Sequence, residues 1–92
     1  MNIVELEWDD RNIKHIARHS VSPEEVEDVC FGFHFARSEH GGRYVLSGQS
    51  DAGRYLNVIV EDLGRGRFRP ITAFEMSDNY KASYRRRMSK RE

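Results

Sequence analysis

RYVLSGQSDAGRYLNVIVED, residues 43–62, alternates its side chains on either side of a compact Ser50-Asp51-Ala52-Gly53 turn. The period is two from Arg43 to Gln49 and again from Arg54 to Asp62, where Tyr55, Asn57 and Ile59 oppose Leu56, Val58 and Val60. Successive side chains of a strand leave opposite faces, so this pattern predicts two strands joined as a hairpin. Downstream, Leu63-Gly64-Arg65-Gly66-Arg67 supplies the next turn and Phe68 to Glu75 the next strand. Pro70 within it lacks a ladder donor and predicts an edge or bulge position. Upstream, Phe33 and Phe35 oppose His34 and Ala36 before a polar break at Ser38 to Gly42. These runs predict a largely antiparallel sheet of about four strands.

Helical signals lie on both sides of the sheet region. Ser22 as N-cap, Pro23 at the first helical position and Glu25 closing a capping box predict a helix from Pro23 to about Phe31. Its buried stripe is Val26, Val29 and Cys30, and Gly32 stands where a left-handed stop residue belongs. A shorter helix capped by Asp9-Asp10 precedes it, with Ile13, Ile16 and Ala17 on one side. Before that, Val4, Leu6 and Trp8 alternate with Ile3, Glu5 and Glu7 and predict an N-terminal strand. Ser77 caps a last helix whose stripe Tyr80, Tyr84 and Met88 docks while its arginines face outward. The fold class is α+β: an N-terminal strand, two short helices, the sheet and a basic C-terminal helix.

A length of 92 residues with 38% hydrophobic and 33% charged residues suits one small domain spanning positions 1–92, with a thin core. No apolar stretch approaches the ~20 residues that cross a bilayer, and Met1 to Asp10 lacks the layout of a secretory signal, so a cytoplasmic, membrane-free protein is expected. Cys30 is the single cysteine, which excludes an internal disulfide and a cysteine-based zinc site. The formal net charge of zero hides a segregation. Residues 1–30 carry eight acids against three bases, and the last twelve residues carry six bases against Glu92 alone. A basic terminal helix of this kind suits phosphate contact or a solvated surface.

His15 and His19 stand four apart, the spacing of helical zinc sites, but no third ligand has a recognisable spacing, so ordinary histidines and no metal are expected. Cys30 on an apolar stripe reads as a buried thiol, no serine lies in a G-x-S-x-G elbow, and the glycines Gly41-Gly42 and Gly64-x-Gly66 are turn glycines. What remains is a set of arginines beside aromatics: Arg43-Tyr44, Arg54-Tyr55 and Arg67-Phe68-Arg69. Metal-independent RNA cleavage needs cations for the phosphorane, a group that activates the 2′-hydroxyl and a proton donor for the leaving 5′-oxygen. Arginine, tyrosine, lysine and histidine are able to fill those roles.

Glu7-Trp8-Asp9, the run Asn12 to Val26 with Arg18-His19-Ser20-Val21-Ser22, Arg43-Tyr44, Gly48, Gly53-Arg54-Tyr55-Leu56, and Arg69-Pro70-Ile71-Thr72-Ala73 with Met76-Ser77 and Tyr84 resemble the BrnT family, toxins of type II toxin–antitoxin pairs. The resemblance covers nearly the whole chain. It implies a RelE-like α+β fold, a metal-independent endoribonuclease that cuts messenger RNA and halts translation, and no cofactor. It also implies neutralisation by a ribbon-helix-helix antitoxin, with operator DNA met only through that antitoxin; a homo-oligomer is compatible with it. In that frame Arg54 and Arg69 hold and stabilise the scissile phosphate, Arg43 assists at its rim, and Lys81, Arg85 and Arg86 contact RNA. Tyr84 is the candidate acid or base, because its unperturbed pKa of ~10 suits donation and nearby arginines lower it. His19 holds the junction of the first two helices or transfers a proton, the structural role being favoured.

Two positions depart from the family pattern. Phe74 stands where the I-[ST]-A strand usually continues with arginine, and Tyr80-Lys81 where a Glu-Arg pair is usual. Losing a cation that stabilises the transition state costs about 2.7–4 kcal/mol where such donors have been removed. The alternative reading is therefore a catalytically degenerate member, kept as a binding module for protein or RNA. A metalloenzyme built on His15 and His19 is a more distant third.

Overall fold

In the computed structural model, which describes residues 1–91, the elements run β1 (Glu5–Leu6), α1 (Asp10–Ala17), α2 (Pro23–Phe31), β2 (His34–Glu39), β3 (Arg43–Gln49), β4 (Tyr55–Gly64), β5 (Arg67–Glu75) and α3 (Asp78–Ser89). Strands β2 to β5 are antiparallel neighbours, and the whole sheet has the order β1-β5-β4-β3-β2. The expected antiparallel sheet of about four strands is thereby corrected to a mixed sheet of five, because β1 joins it parallel to β5, pairing Glu5 with Arg67 and Leu6 with Phe68. The extra strand covers part of an edge whose backbone groups would otherwise lack partners.

β1 also differs in which side it buries. Ile3 is in the core and Val4 is 68% exposed, the reverse of the expected alternation, while Leu6 and Trp8 pack against the core as expected. The chain before Glu5 is not yet regular strand: the Val4 and Glu5 N–H groups both donate to the Gly66 carbonyl, at 2.8 and 3.2 Å. A Cβ on Gly66 would come within 2.6 Å of Val4 Cγ2, so a residue without one is needed at this crossing.

Both helix starts follow the local chemistry. Asp9 Oδ1 accepts from the Asn12 N–H and Asn12 Oδ1 from the Asp9 N–H, each at 2.9 Å. Ser22 and Glu25 exchange the same pair of bonds at 3.2 and 3.0 Å, and α2 runs from Pro23 to Phe31 as predicted. Reciprocal bonds of this kind satisfy N–H groups that the first turn leaves orphaned. Gly32 is not left-handed; it is extended at φ −94° and ψ −164°, and its value is close approach, since a Cβ there would lie 2.6 Å from the Asp28 carbonyl oxygen. Helix α1 stops at Ala17, so His19 falls in the following turn and does not continue the helical face of His15.

The sheet has two unlike faces. Leu46, Leu56, Val58, Val60, Phe68 and Ala73 meet Ile16, Val21, Val26, Val29 and Cys30 of the α1–α2 region in one core cluster. Each large side chain buried there contributes about 1.5–3 kcal/mol. Alternation and register put Phe35, Arg37, Arg43, Val45, Ser47, Tyr55, Asn57, Ile59 and Glu61 on the other face. Helix α3, capped by Ser77 Oγ on the Tyr80 N–H, covers one corner of it, where Tyr84 is buried. Pro70 sits at the predicted bulge: Ile59 pairs with Thr72 but Val60 with Pro70, leaving Ile71 extra. Among the described residues no helix is long and apolar enough to cross a membrane.

Candidate nucleic-acid interface

The face of the sheet away from the main core carries one cleft, and a second opens where the β3–β5 end of that face meets the α1 region. The first, of about 480 Å³, lies between α3 and strands β2 and β3 and is lined by Phe35, Arg37, Val45, Ser47, Tyr80 and Arg87, among others. Its α3 side is made by Tyr80, Ser83, Tyr84 and Arg87, a stripe at i, i+3, i+4 and i+7, which is one side of a helix. Aromatic rings hold two cations of this helix, and one just beyond its end, in place. The Arg87 guanidinium lies 4.0 Å from the Phe35 ring centroid, that of Arg91 3.7 Å from Phe33, and Lys81 Nζ 4.7 Å from Tyr55. Such contacts add about 0.5–1 kcal/mol at exposed sites and restrict where the charge points.

The second cleft, of about 590 Å³, is lined by Asp9, Arg11, Asn12 and His15 of the α1 region together with Arg43, Glu61, Arg69 and the Pro70–Ile71 bulge. Arg43, Glu61 and Arg69 form one row across β3, β4 and β5 by register. Val45 lines the first cleft and Arg43 the second, and two residues along one strand face span roughly 7 Å, so the clefts are neighbours.

Of the residues singled out from the sequence, Arg43, Arg69, Tyr84 and Lys81 gather on this face, and Arg54 does not. Arg54 Nη1 donates to the Ser20 carbonyl at 2.7 Å and to both Glu25 carboxylate oxygens at 2.9 and 3.0 Å, while Nη2 donates to Glu75 at 2.8 Å. It ties α2 to the ends of β4 and β5 on the helix-covered side. Tyr55, next to Arg54, and Glu61, the partner of Arg69, stand six positions apart along β4, a span of about 20 Å. The two arginines therefore do not share a phosphate. Arg69 is itself held by carboxylates, Nη1 on Asp9 and Nη2 on Glu7, both at 2.6 Å, and these bonds fix its head at the cleft wall.

Tyr84 packs edge-on against Phe35 and Tyr55, with centroids 5.6 and 5.8 Å away. Burial, reinforced by Tyr55, pushes its phenol above the ordinary tyrosine value despite Arg91, which opposes duty as a base. Arg85 and Arg86 are exposed and line neither cleft; Arg86 Nη2 donates to Ser83 Oγ at 3.2 Å. The His19 ring meets Phe74 edge-on at 6.1 Å. Among the described residues no group of three or more His, Cys, Asp or Glu is arranged to hold a metal ion.

The two departures from the family pattern meet at one place. Phe74 is the register partner of Asn57, whose Oδ1 accepts from Ser47 Oγ at 2.6 Å, and Ser47 Oγ is 2.9 Å from the Tyr80 hydroxyl. With the serine proton on Asn57, the Tyr80 O–H donates to Ser47. A neutral, hydrogen-bonded strip thus occupies the position where the resemblance implies an arginine and an acid. Arg37, Glu61 and the cleft-facing role of His15 were missed in the sequence, although Arg37 and Glu61 share the strand parity of Phe35 and Tyr55 and follow once the hairpins are paired. Comparison with family models, curated proteins and solved structures returns no match to this chain.

Proposed function

We propose that this chain is a BrnT-like toxin of RelE-like fold that acts on RNA in the cytoplasm, engaging it on the open face of its sheet. The observation that carries this reading is the gathering of Arg37 and Arg87 beside aromatic rings and hydroxyls in the first cleft, with Arg43 in the adjoining one. Guanidiniums contact phosphates, and rings such as Phe35 offer stacking surface to unpaired bases, the combination that single-stranded nucleic acid requires. A ribbon-helix-helix antitoxin whose acidic segment covered the same cations would compete directly with RNA. Inducible expression in a bacterial host tests the reading, beside an Arg43→Glu/Arg87→Glu double variant. Growth arrest with new 5′ and 3′ RNA ends, both lost in the double variant, is expected; normal growth and intact RNA with soluble protein present would overturn it.

A second reading is favoured by the Tyr80–Ser47–Asn57 strip beside Phe74, where the implied cation and acid are replaced by neutral groups. On that reading the same face binds RNA or an antitoxin-like protein without cutting. RNA that is retained by the purified protein yet gains no new ends separates it from the first.

A further inference from the structure

Glu61 stands in the middle of the second cleft's cationic row, with Arg43 as its partner on β3 and Arg69 on β5. Neither Glu61 nor Arg43 has an ion-pair partner within 4 Å among the described residues, whereas Arg69 is braced by Glu7 and Asp9. Across the cleft stands His15 of α1. That helix is anchored at its start: Asp9 accepts from Arg69, and Asn12 Nδ2 donates to the Glu7 carbonyl at 2.9 Å. A carboxylate, an imidazole and guanidiniums therefore line one cleft of about 590 Å³, a size ordinary for a substrate site. The neutral strip at Tyr80 lies in the other cleft, so its lack of charge does not bear on this set.

These groups match the needs of RNA transesterification one for one. We propose that Glu61 and His15 are the general base and general acid of an RNA-cleaving site in this cleft, with Arg43 on the scissile phosphate and Arg69, neutralised by Glu7 and Asp9, as part of the cleft wall; the proposal rests on the RNA-directed reading above. The Glu61 carboxylate takes the proton of the 2′-hydroxyl as O2′ forms a bond to phosphorus. The P–O5′ bond breaks, its electron pair leaving on O5′, which takes a proton from the His15 imidazolium. The products are a 2′,3′-cyclic phosphate and a 5′-hydroxyl end, and proton exchange with water restores both side chains. Arg43 stabilises the charge that grows on the phosphoryl oxygens. RNA supplies its own nucleophile, and the step needs no further reactant.

The full-length protein is tested with a short single-stranded RNA, with and without ribosomes, scoring binding and product ends separately. Glu61→Gln and His15→Ala are expected to bind the RNA as the parent does and to cut it about 10²–10⁴-fold more slowly. An RNA whose scissile 5′-oxygen is replaced by sulfur leaves as a thiolate without protonation. That substrate restores His15→Ala to within about tenfold of the parent and does not restore Glu61→Gln, a split that a merely structural role for either residue would not produce. Cutting unchanged in both variants, ends other than cyclic phosphate and 5′-hydroxyl, or a His15→Ala loss that sulfur leaves uncorrected would overturn the assignment while leaving RNA as the ligand. Binding without cutting by the parent would overturn it in favour of the binding module, and a parent that does not bind RNA would overturn the RNA-directed reading itself.

Discussion

Arg43-Tyr44 and Arg54-Tyr55 are the same dipeptide at the start of adjacent strands, and the fold uses them in opposite senses. Tyr44 packs against the core, its ring 6.4 Å from Phe68, so Arg43 emerges on the open face and lines the second cleft. Tyr55 instead lies on the open face beneath Tyr84, and Arg54 is turned toward α2, where Ser20, Glu25 and Glu75 occupy its guanidinium. One cation is left available to a ligand and the other is a clamp. What separates them is strand parity, since a shift of one residue exchanges the faces of the whole strand.

The contrast between the two sides can be broken most severely at the helix-covered core. Leu56→Ala removes a fully buried side chain and is expected to cost about 2–5 kcal/mol in urea unfolding, with Ile59→Ala on the open face costing less. Equal losses would mean that the open face is as tightly packed as the covered one. Next in size, Arg54→Ala should destabilise by about 1–3 kcal/mol, because Glu25 and the Ser20 carbonyl lose a partner, while RNA affinity stays unchanged. A folded Arg54→Ala protein that no longer bound RNA would put this arginine back among the phosphate contacts.

The same clamp sets a pH dependence. Burial opposes ionisation of Glu25, but the Ser22 N–H and the Arg54 guanidinium outweigh it, holding the carboxyl below its ordinary value of 4.5. A depressed folded value means that the contribution is complete above about pH 4.5 and is lost as pH falls below it. Urea midpoints measured from pH 7 to pH 3 should therefore fall on the acid side, and less so in Glu25→Gln. The smallest expected effect lies on the open face. Arg43→Ala should leave stability within about 0.5 kcal/mol of the parent, yet lower the salt dependence of single-stranded RNA binding by about 0.7 in log–log slope. An unchanged slope would remove Arg43 from the interface.

The elements were legible in the sequence to a degree that reflects how local their causes are. The Ser22–Glu25 capping box and Pro23 place the start of α2 within four residues, and the alternation of residues 43–62 places β3 and β4 around their turn. Pro70 marks the bulge because a missing N–H is a property of one residue. The parallel pairing of β1 with β5 was not legible, since Glu5 and Arg67 are 62 positions apart and nothing near either names the other. The end of α1 at Ala17 likewise separates His15 from His19 for a reason that lies in the following turn, where Ser20 adopts a φ of 58°.

The site divides along the same line. Composition and motif select residue types, so arginines beside aromatics, and the resemblance they support, point toward RNA. They do not say which arginine has a carboxylate already in its fork: Arg54 has two, contributed by α2 and the end of β5, and Arg69 has two, contributed by the residue just after β1 and the cap of α1. Nor do they bring His15 to Glu61, 46 positions away, across a cleft that exists only once α1 is set beside β5. Caps, turns and periodicity are written within a few residues because backbone hydrogen bonds and side-chain direction are local. Whether a charge is spent on folding or kept for a ligand depends on partners brought together across the whole chain, and that only the packed sheet and helices decided.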